Sequence, residues 1–553
     1  MKLYALLSQL FRNSHHIGVV GWAKALFAPC PPAAPPVGTA LSAPLPTLQT
    51  THRFHAIVGR AVAAGLGLSL LSYAPMSMAG EKLNFVVDLV NEPSSLDPQM
   101  QWNPDSYHVY RNIFDNLVTR DNAGKIIPQI ATSWKGVSDT EIVFTLRDDV
   151  HFHDGAPLTA ADVAYSVNRI IDPKLASPQI SQFNRIATAA VSGDREVTLT
   201  LKRPFPALLA ALTNLSIVPA HVVEKVGNAA FNLAPVGSGP YKFVKWDKGV
   251  AVTLARNNDY WGAKGAFETA VFRAVPDAST RLADIEAGVV DVARNLTSDQ
   301  AGQLQSSQNA KALPVLTERL AYIRINPTRP PFDNAQLRQA LAHAIDKDGI
   351  TAGLLAGLGK PLGQMVTPAH FGWSKAIQAP PFDPDQARAL IAKAGRPPKF
   401  QLTIGAFFDQ RVAEAVLQEL RDVGFDVEIA QVDTPTFLQL IQKGPADGPT
   451  LAISTSSCAC QDADGALYSL FHSGSNWTIV ATPQIDALLD EAGSSSIEQK
   501  RLADYEKIGQ FIATEIPTVP LYQMVAIYGA AKKLNFQPTP NESFFLNRMS
   551  WAD

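Results

Sequence analysis

The residues best equipped for chemistry sit in a few short strings. His151 and His153 alternate across Phe152, so on a strand both imidazoles would face one way and could share a metal ion. Surface strand residues beside the Asp154-Gly155 turn are the plainer reading. Ser457-Cys458-Ala459-Cys460 carries two thiols that an oxidising compartment would let bridge. A Cys-x-Cys ring is small and strained, so two free thiols fit as well. No second cysteine pair or nearby His-x-x-x-His completes a zinc site, and no cofactor is implied. Gly237-Ser238-Gly239 could cradle an anion, but without a helix directly after it the string reads as a tight turn. Asp409, Asp462 and Asp464 could each meet a cationic ligand or cap the helix that follows. No Walker A loop, Gly-x-Ser-x-Gly elbow or His-Glu-x-x-His is present, so no catalytic signature of these kinds stands in the sequence.

These strings are carried by a regular alternation of elements. Glu141-Ile142-Val143-Phe144-Thr145-Leu146 and Glu196-Val197-Thr198-Leu199-Thr200-Leu201 have strand periodicity, and Thr159 with Asp162 three residues on marks a helix start. Ser106 to Thr119 places Val109, Ile113, Phe114 and Leu117 on one helical face, and Asn334 caps an amphipathic helix. KFVKWDKGVAVTLAR reads as a hairpin. From 383 to 429 the pattern is helix, strand, helix, strand, which argues a mostly parallel α/β lobe.

The chain has 553 residues, enough for two or three lobes, and a formal net charge of −3 that gives nucleic acid no purchase. Its first eighty residues differ from the rest. They contain no Asp or Glu; Lys2, Arg12, Lys24, Arg53 and Arg60 are basic, and residues 29–46 are Pro/Ala-rich. Arg53 and Arg60, an apolar run Ala61 to Leu71 and Ser77-Met78-Ala79 then read as a secretory signal cleaved after Ala79. The basic region lies unusually deep in the chain, so translation is expected to start later, near Leu48. No Cys follows the apolar run, so no lipid anchor is expected, and Cys30 lies in the removed part.

The string from Ala131 to Val163 resembles the solute-binding proteins of peptide- and nickel-type ABC importers. There, a Trp, a strand ending in Leu-Arg, a His-Asp-Gly turn and a Thr-Ala-x-Asp-Val helix start follow in this order. Pro235-Val236-Gly237-Ser238-Gly239-Pro240-Tyr241 with Asn258-Asp259-Tyr260-Trp261-Gly262, Pro276 to Arg281, Phe332 to Asp346, and Ile516 to Tyr522 resemble later strings of that family. The resemblance implies an α/β, two-lobe periplasmic binding protein fold of the large three-domain type (cluster C). Lobe I would comprise 81–115, 220–318 and 518–553; a small strand-rich domain, 116–219, would be inserted in it; lobe II would span 319–517, after the 1–79 extension and signal. It also implies a periplasmic monomer that closes on a peptide-like or small organic solute and delivers it to an ABC permease, ATP hydrolysis belonging to ATPase subunits. A sensor or chaperone that kept the fold, and an ordinary di- or oligopeptide binder with other terminus contacts, are the alternatives.

Two loops depart from the peptide-binding relatives. Placing Leu470-Phe471 on the family's Leu-Phe puts its Asp-Pro aspartate on Asp462, its ammonium-binding Asp on Ala459 and its Trp on Ser456. The dipeptide binder's carboxylate-binding Arg has no match in Gly405 to Asp409, since Arg411 aligns with the following helix. What stands there is aromatic and small-polar: Phe407, Phe408, Asp409, Ser456, Ser457 and Cys458. Trp102, Asn103 and Tyr107 follow the Ser-Leu-Asp-Pro loop where relatives place ligand contacts, and Trp373 is a candidate for the cleft rim.

Overall fold

Two long antiparallel strands, Ala310–Ile325 and Thr518–Ala531, run out of one hydrophobic core and into another. The computed structural model describes residues 83–552 apart from Trp102 and Ala459. The signal reading of 1–79, its cleavage point and Trp102 lie outside the described residues. Leu313 and Val315 of the first strand pack on a core with Phe85, Phe231 and Phe272. Ala321, Ile323 and Ile325 are buried in another with Phe332, Leu402 and Val416. The first is called lobe I below and the second lobe II.

The crossing pair lies in the middle of an eleven-stranded sheet among the described residues. Leu451–Ser456, Phe400–Gly405 and Val427–Val432 extend it into lobe II; Val292–Ala293, Asn84–Leu89, Thr269–Ala274, Ala251–Arg256 and Tyr241–Asp247 extend it into lobe I. Phe400–Gly405 and Val427–Val432 are parallel and joined by the helix Gln410–Asp422, as the alternation from 383 to 429 requires. The expected hairpin is Tyr241–Asp247 with Ala251–Arg256. A separate four-stranded antiparallel sheet contains Glu141–Leu146 and Glu196–Leu201 as neighbours, and has its own core with Phe144, Val163, Phe183 and Leu199. The helix Ala160–Ile171 starts with Asp162 accepting from the Thr159 amide (3.0 Å) and hydroxyl (2.7 Å).

The helix expected over Ser106–Thr119 is Pro104–Tyr110, with a short strand at Val118–Arg120. It stops early because the carbonyls beyond it are used elsewhere. Gly239 N–H donates to Ile113 O (2.8 Å) and Tyr241 N–H to Asn112 O (2.9 Å). The backbones are so close that a Cβ on Gly237 would sit 2.0 Å from Ile113 O, and one on Gly239 2.7 Å from Asn112 O. His153 is not a surface residue here. Its amide donates to Gly237 O (2.8 Å), and its ring pairs Nε2 with Gly239 O (3.0 Å) and Nδ1 with the Gly237 amide (3.3 Å). Burial pushes its pKa down to about 4, so the ring is neutral at physiological pH. Both ring nitrogens are committed to that backbone, and His151 is exposed, so the two do not form a metal pair.

These strings converge on one buried carboxylate. Asp115 accepts from Gln129 Nε2 (2.7 Å), Tyr260 OH (3.0 Å), Ser238 Oγ (3.1 Å) and Trp261 Nε1 (3.1 Å). Burial nevertheless raises its pKa to about 6. Gly237→Ala is expected to cost about 2–3 kcal/mol in denaturant unfolding, since the clash is with backbone that cannot yield. Gly302→Ala, in the helix Ser298–Leu304 with open space around it, should instead gain about 0.5–1 kcal/mol. Equal effects of the two would contradict the close approach at Gly237.

Candidate functional site

Where the two strands cross between the lobes, their pairing breaks. It runs to Leu316↔Val525 and resumes at Leu320↔Gln523, so Thr317, Glu318 and Arg319 stand opposite Met524 alone. Such a bulge re-aims side chains, and this one is fixed by hydrogen bonds. Thr317 Oγ1 donates to Met524 O (3.0 Å), Gln523 Nε2 to Thr317 O (2.7 Å), and Glu318 N–H to Pro540 O (3.0 Å). Arg319 is thereby turned onto Glu542 through Nε and onto the Tyr107 hydroxyl (3.3 Å). Burial opposes its charge, but Glu542 and Tyr107 hold the guanidinium's pKa well above its ordinary value. Tyr107, pushed up by its own burial, stays a phenol.

Beside the bulge lies a small cavity of about 20 Å³, lined by Tyr107, Tyr110 and Arg111 of lobe I, Gln179 and Asn214 of the unit built on the separate four-stranded sheet (the inserted unit, since lobe I strands precede and follow it in the chain), Arg319, and Ser457 of lobe II. Arg111 lies over the Tyr107 ring (4.5 Å) and donates to Ser543 Oγ (3.0 Å) and Asn214 Oδ1 (2.9 Å). Farther out, a cavity of about 410 Å³ opens between the inserted unit and lobe II. Gln182, Arg185 and Phe205 form one wall; Asp464, Tyr468 and Trp477 form the other. Arg185 NH1 donates to Asp464 Oδ2 at 2.7 Å, both side chains being about nine-tenths buried, and its guanidinium faces the Phe205 and Tyr468 rings.

The residues anticipated from sequence divide between this cleft and other tasks. Tyr107 and Ser457 line the small cavity, and Ser456 pairs with Leu320 just past the bulge. Asn103 caps the helix Pro104–Tyr110, accepting from Ser106 N–H (2.9 Å). Phe407 packs on Phe437, and Phe408 is in the lobe II core. Asp409 caps the helix Gln410–Asp422 and pairs with Arg411 (2.9 Å), which reaches across to Asp299 (3.1 Å). Asp462 caps the helix Ala463–Phe471 and is held by Arg501 (2.9 and 3.0 Å), although burial still raises its pKa. Trp373 packs against the core under that helix. The structure therefore does not bring Phe408, Asp409 or Asp462 to the cleft, because helix capping, ion pairing and core packing already use them.

Cys458 and Cys460 form a disulfide with Cα atoms 5.0 Å apart, both buried, and Cys460 borders the larger cavity. Arg111, Gln179, Arg185, Asn214 and Arg319 were not anticipated. The available signal was charge in apolar surroundings: Arg111 after the apolar helix face, and Glu318-Arg319 inside the run ALPVLTERLAYIRI.

A family model of bacterial extracellular solute-binding proteins, family 5, matches residues 125–478. The chain belongs to that family. It is 27% identical over 504 residues to the glutathione-binding protein GsiB of Escherichia coli (strain 536), covering 87% of this chain and 96% of the relative. The GsiB of Salmonella typhimurium is 28% identical over 502 residues, with the same coverage. Among solved structures, the periplasmic binding protein DppA of Helicobacter pylori in complex with the peptide STSA superposes with a TM-score of 0.76 at 24% identity, covering 86% of this chain and 99% of that one. NikZ of Campylobacter jejuni in complex with Ni(L-His) gives 0.76 at 22% identity, covering 85% and 99%. The fold is thus the two-lobe periplasmic binding fold, and the protein is the solute-binding component of an ABC importer. Family 5 proteins are extracytoplasmic; among the described residues no helix is long and apolar enough to cross a membrane.

The disulfide makes a demand on the family 5 framework that can be measured. A Cβ on Gly465 would lie 2.5 Å from Cys458 Sγ and 2.7 Å from Cys460 Sγ. Gly465→Ala is expected to cost about 1–3 kcal/mol in chemical denaturation. A variant as stable as the parent would mean that the loop behind Ser457 shifts freely.

Proposed function

We propose that this protein captures an amino-acid-derived, peptide-sized zwitterion in the cleft between its lobes and delivers it to its permease. The observation that carries this reading is the cavity of about 410 Å³ between the inserted unit and lobe II, a separate cavity from the smaller arginine-lined one at the bulge. Its size is within the range of small-molecule sites. Its walls combine aromatic faces (Phe205, Tyr468, Trp477) with polar groups and both signs of charge, which suits a ligand with charged ends and an uncharged middle. The relatives support the same class: GsiB is a glutathione-binding protein, and the neighbours include complexes with the peptide STSA and with Met-Leu.

In this mechanism the open form samples solute, closure about the crossing strands desolvates it, and the closed form engages the permease with both lobes. Ligand favours closure only through contacts absent from the open form, and contacts between the inserted unit and lobe II are of that kind. The ligand contacts we assign are Tyr107, Arg111, Arg185, Arg319 and Ser457. We further assign residues 1–79 to an extension and export signal removed after Ala79, the mature chain to a periplasmic monomer without enzymatic activity, and ATP hydrolysis to partner subunits.

Calorimetry on the exported protein with glutathione, Met-Leu, Ser-Thr-Ser-Ala, a glycoside and nickel–histidine tests this. At least one amino-acid-derived solute should bind, raising stability by about 2.7 kcal/mol at a hundredfold excess over Kd. Arg185→Ala strands Asp464 in the closed cleft and should weaken binding about 10- to 100-fold. A response to the glycoside or the metal complex alone would sink the proposal.

A further inference from the structure

Glu318, the middle residue of the bulge, has no exposed surface, and neither carboxylate oxygen has a hydrogen-bond partner. A buried charge left in that condition is costly, and native structures avoid it unless a partner is to arrive. Its neighbours do not supply that partner. Arg319 is spent on Glu542 and Tyr107 and Arg111 on Ser543 and Asn214; Arg120 donates to the carbonyls of Gly124 and Cys460, and neither its Nε nor the Tyr528 hydroxyl reaches Glu318, both being unpaired like the carboxylate itself.

We propose, resting on the cleft reading above, that Glu318 receives the primary ammonium group of the transported solute. Three observations fix the chemistry. First, an unpartnered carboxylate calls for a donor-rich cation. Second, the cavity of about 20 Å³ beside the bulge is walled by Tyr107, Arg111 and Arg319, the residues that face Glu318, rather than by Glu318 itself, and it has room for one water-sized group, which an ammonium is and a guanidinium is not. Third, its walls include Arg111 and Arg319, whose N–H groups are already bonded but whose positive charge favours a solute that carries an acid group outside this small cavity as well as the amine. The larger cavity takes the rest of the molecule. The favoured solute therefore carries an amine and an acid group near one end, and that end is read at the point where the lobes pivot.

The site also predicts a proton balance. Burial raises the Glu318 pKa to about 7, with Arg319 opposing, Glu542 adding to the rise and Arg111 opposing. Arg120 and the phenols of Tyr107 and Tyr528 also face it. Near neutral pH the ligand-free carboxyl is thus partly protonated, and an arriving ammonium favours the ionised form and expels that proton. Affinity should rise from pH 6 to pH 8, while the amine stays charged.

The test uses S-methylglutathione, whose blocked thiol cannot exchange with the Cys458–Cys460 disulfide, and Met-Leu, each beside its desamino analogue. For wild-type protein, calorimetry between pH 6 and pH 8 in buffers of different ionisation enthalpy should show proton release on binding of each amine-bearing ligand, larger at pH 6 than at pH 8. Removing the amine should weaken binding about 10- to 100-fold and abolish that release. Glu318→Gln should show the same loss for the amine-bearing ligand, no proton release, and less than about threefold difference between the ligand and its desamino analogue. Binding with the desamino penalty intact in Glu318→Gln, or wild-type binding without proton release, overturns the role of Glu318 and leaves the cleft reading standing. Failure of either amine-bearing ligand to bind wild-type protein, with a glycoside or nickel–histidine binding instead, overturns both. Should Glu318→Gln not fold, the proton count and the desamino comparison on wild-type protein decide.

Discussion

The two lobes share one pair of strands, and that constraint governs the rest of the molecule. Ala310–Ile325 and Thr518–Ala531 are hydrogen-bonded on both sides of the crossing, so lobe motion must be a rotation about the short unpaired stretch from Thr317 to Arg319. Whatever lies beside that stretch stands at the junction of both lobes. Other links between the lobes are weak by comparison. Arg203–Asp490 and Arg411–Asp299 are partly exposed ion pairs, worth about 0–1 kcal/mol each. Arg185–Asp464 is buried, and its attraction is largely offset by the cost of stripping water from both groups.

The inserted unit has to move with lobe I for a single pivot to suffice, and buried polar pairs secure it. Asp115, at the end of lobe I's first segment, collects donors from Gln129 of the inserted unit and from Ser238, Tyr260 and Trp261 of the returning chain. Asp97 is bound by Arg169 from the helix Ala160–Ile171. These contacts give a physical reason for strings that sequence reading could recognise only by resemblance. The His-Asp-Gly turn, the Gly-Ser-Gly-Pro-Tyr turn and the Asp-Tyr-Trp-Gly string are three sides of one joint.

Local pattern made the fold legible and left the cleft obscure. Alternation gave Glu141–Leu146 and Glu196–Leu201, and side-chain chemistry gave the caps at Thr159 and Asn334, because those outcomes are set within a few residues. The helix after Asn103 could not be bounded this way. Its end depends on Gly239 and Tyr241, far along the chain, claiming the carbonyls of Ile113 and Asn112. The cleft failed for the same reason at larger scale. Arg111, Arg185 and Arg319 come from three separate segments and become a site only when the sheet is assembled. Asp409 and Asp462, by contrast, had a local use as caps, and the local use prevailed.

The disulfide bears on how such a site could discriminate. Ser457 is the lobe II residue in the small cavity, and it sits between the end of the strand Leu451–Ser456 and the Cys458–Cys460 bridge, with Gly465 packed beneath. A loop held at both ends loses little conformational freedom when solute arrives, so more of the contact energy appears as affinity. On the lobe I side, Tyr107, Arg111 and Arg319 are braced by Asn214, Glu542 and Ser543. With both walls fixed beforehand, an ill-fitting solute cannot be met by rearrangement. On the proposed function, selectivity then rests on how completely the lobes close over the solute, and so on the two strands they share.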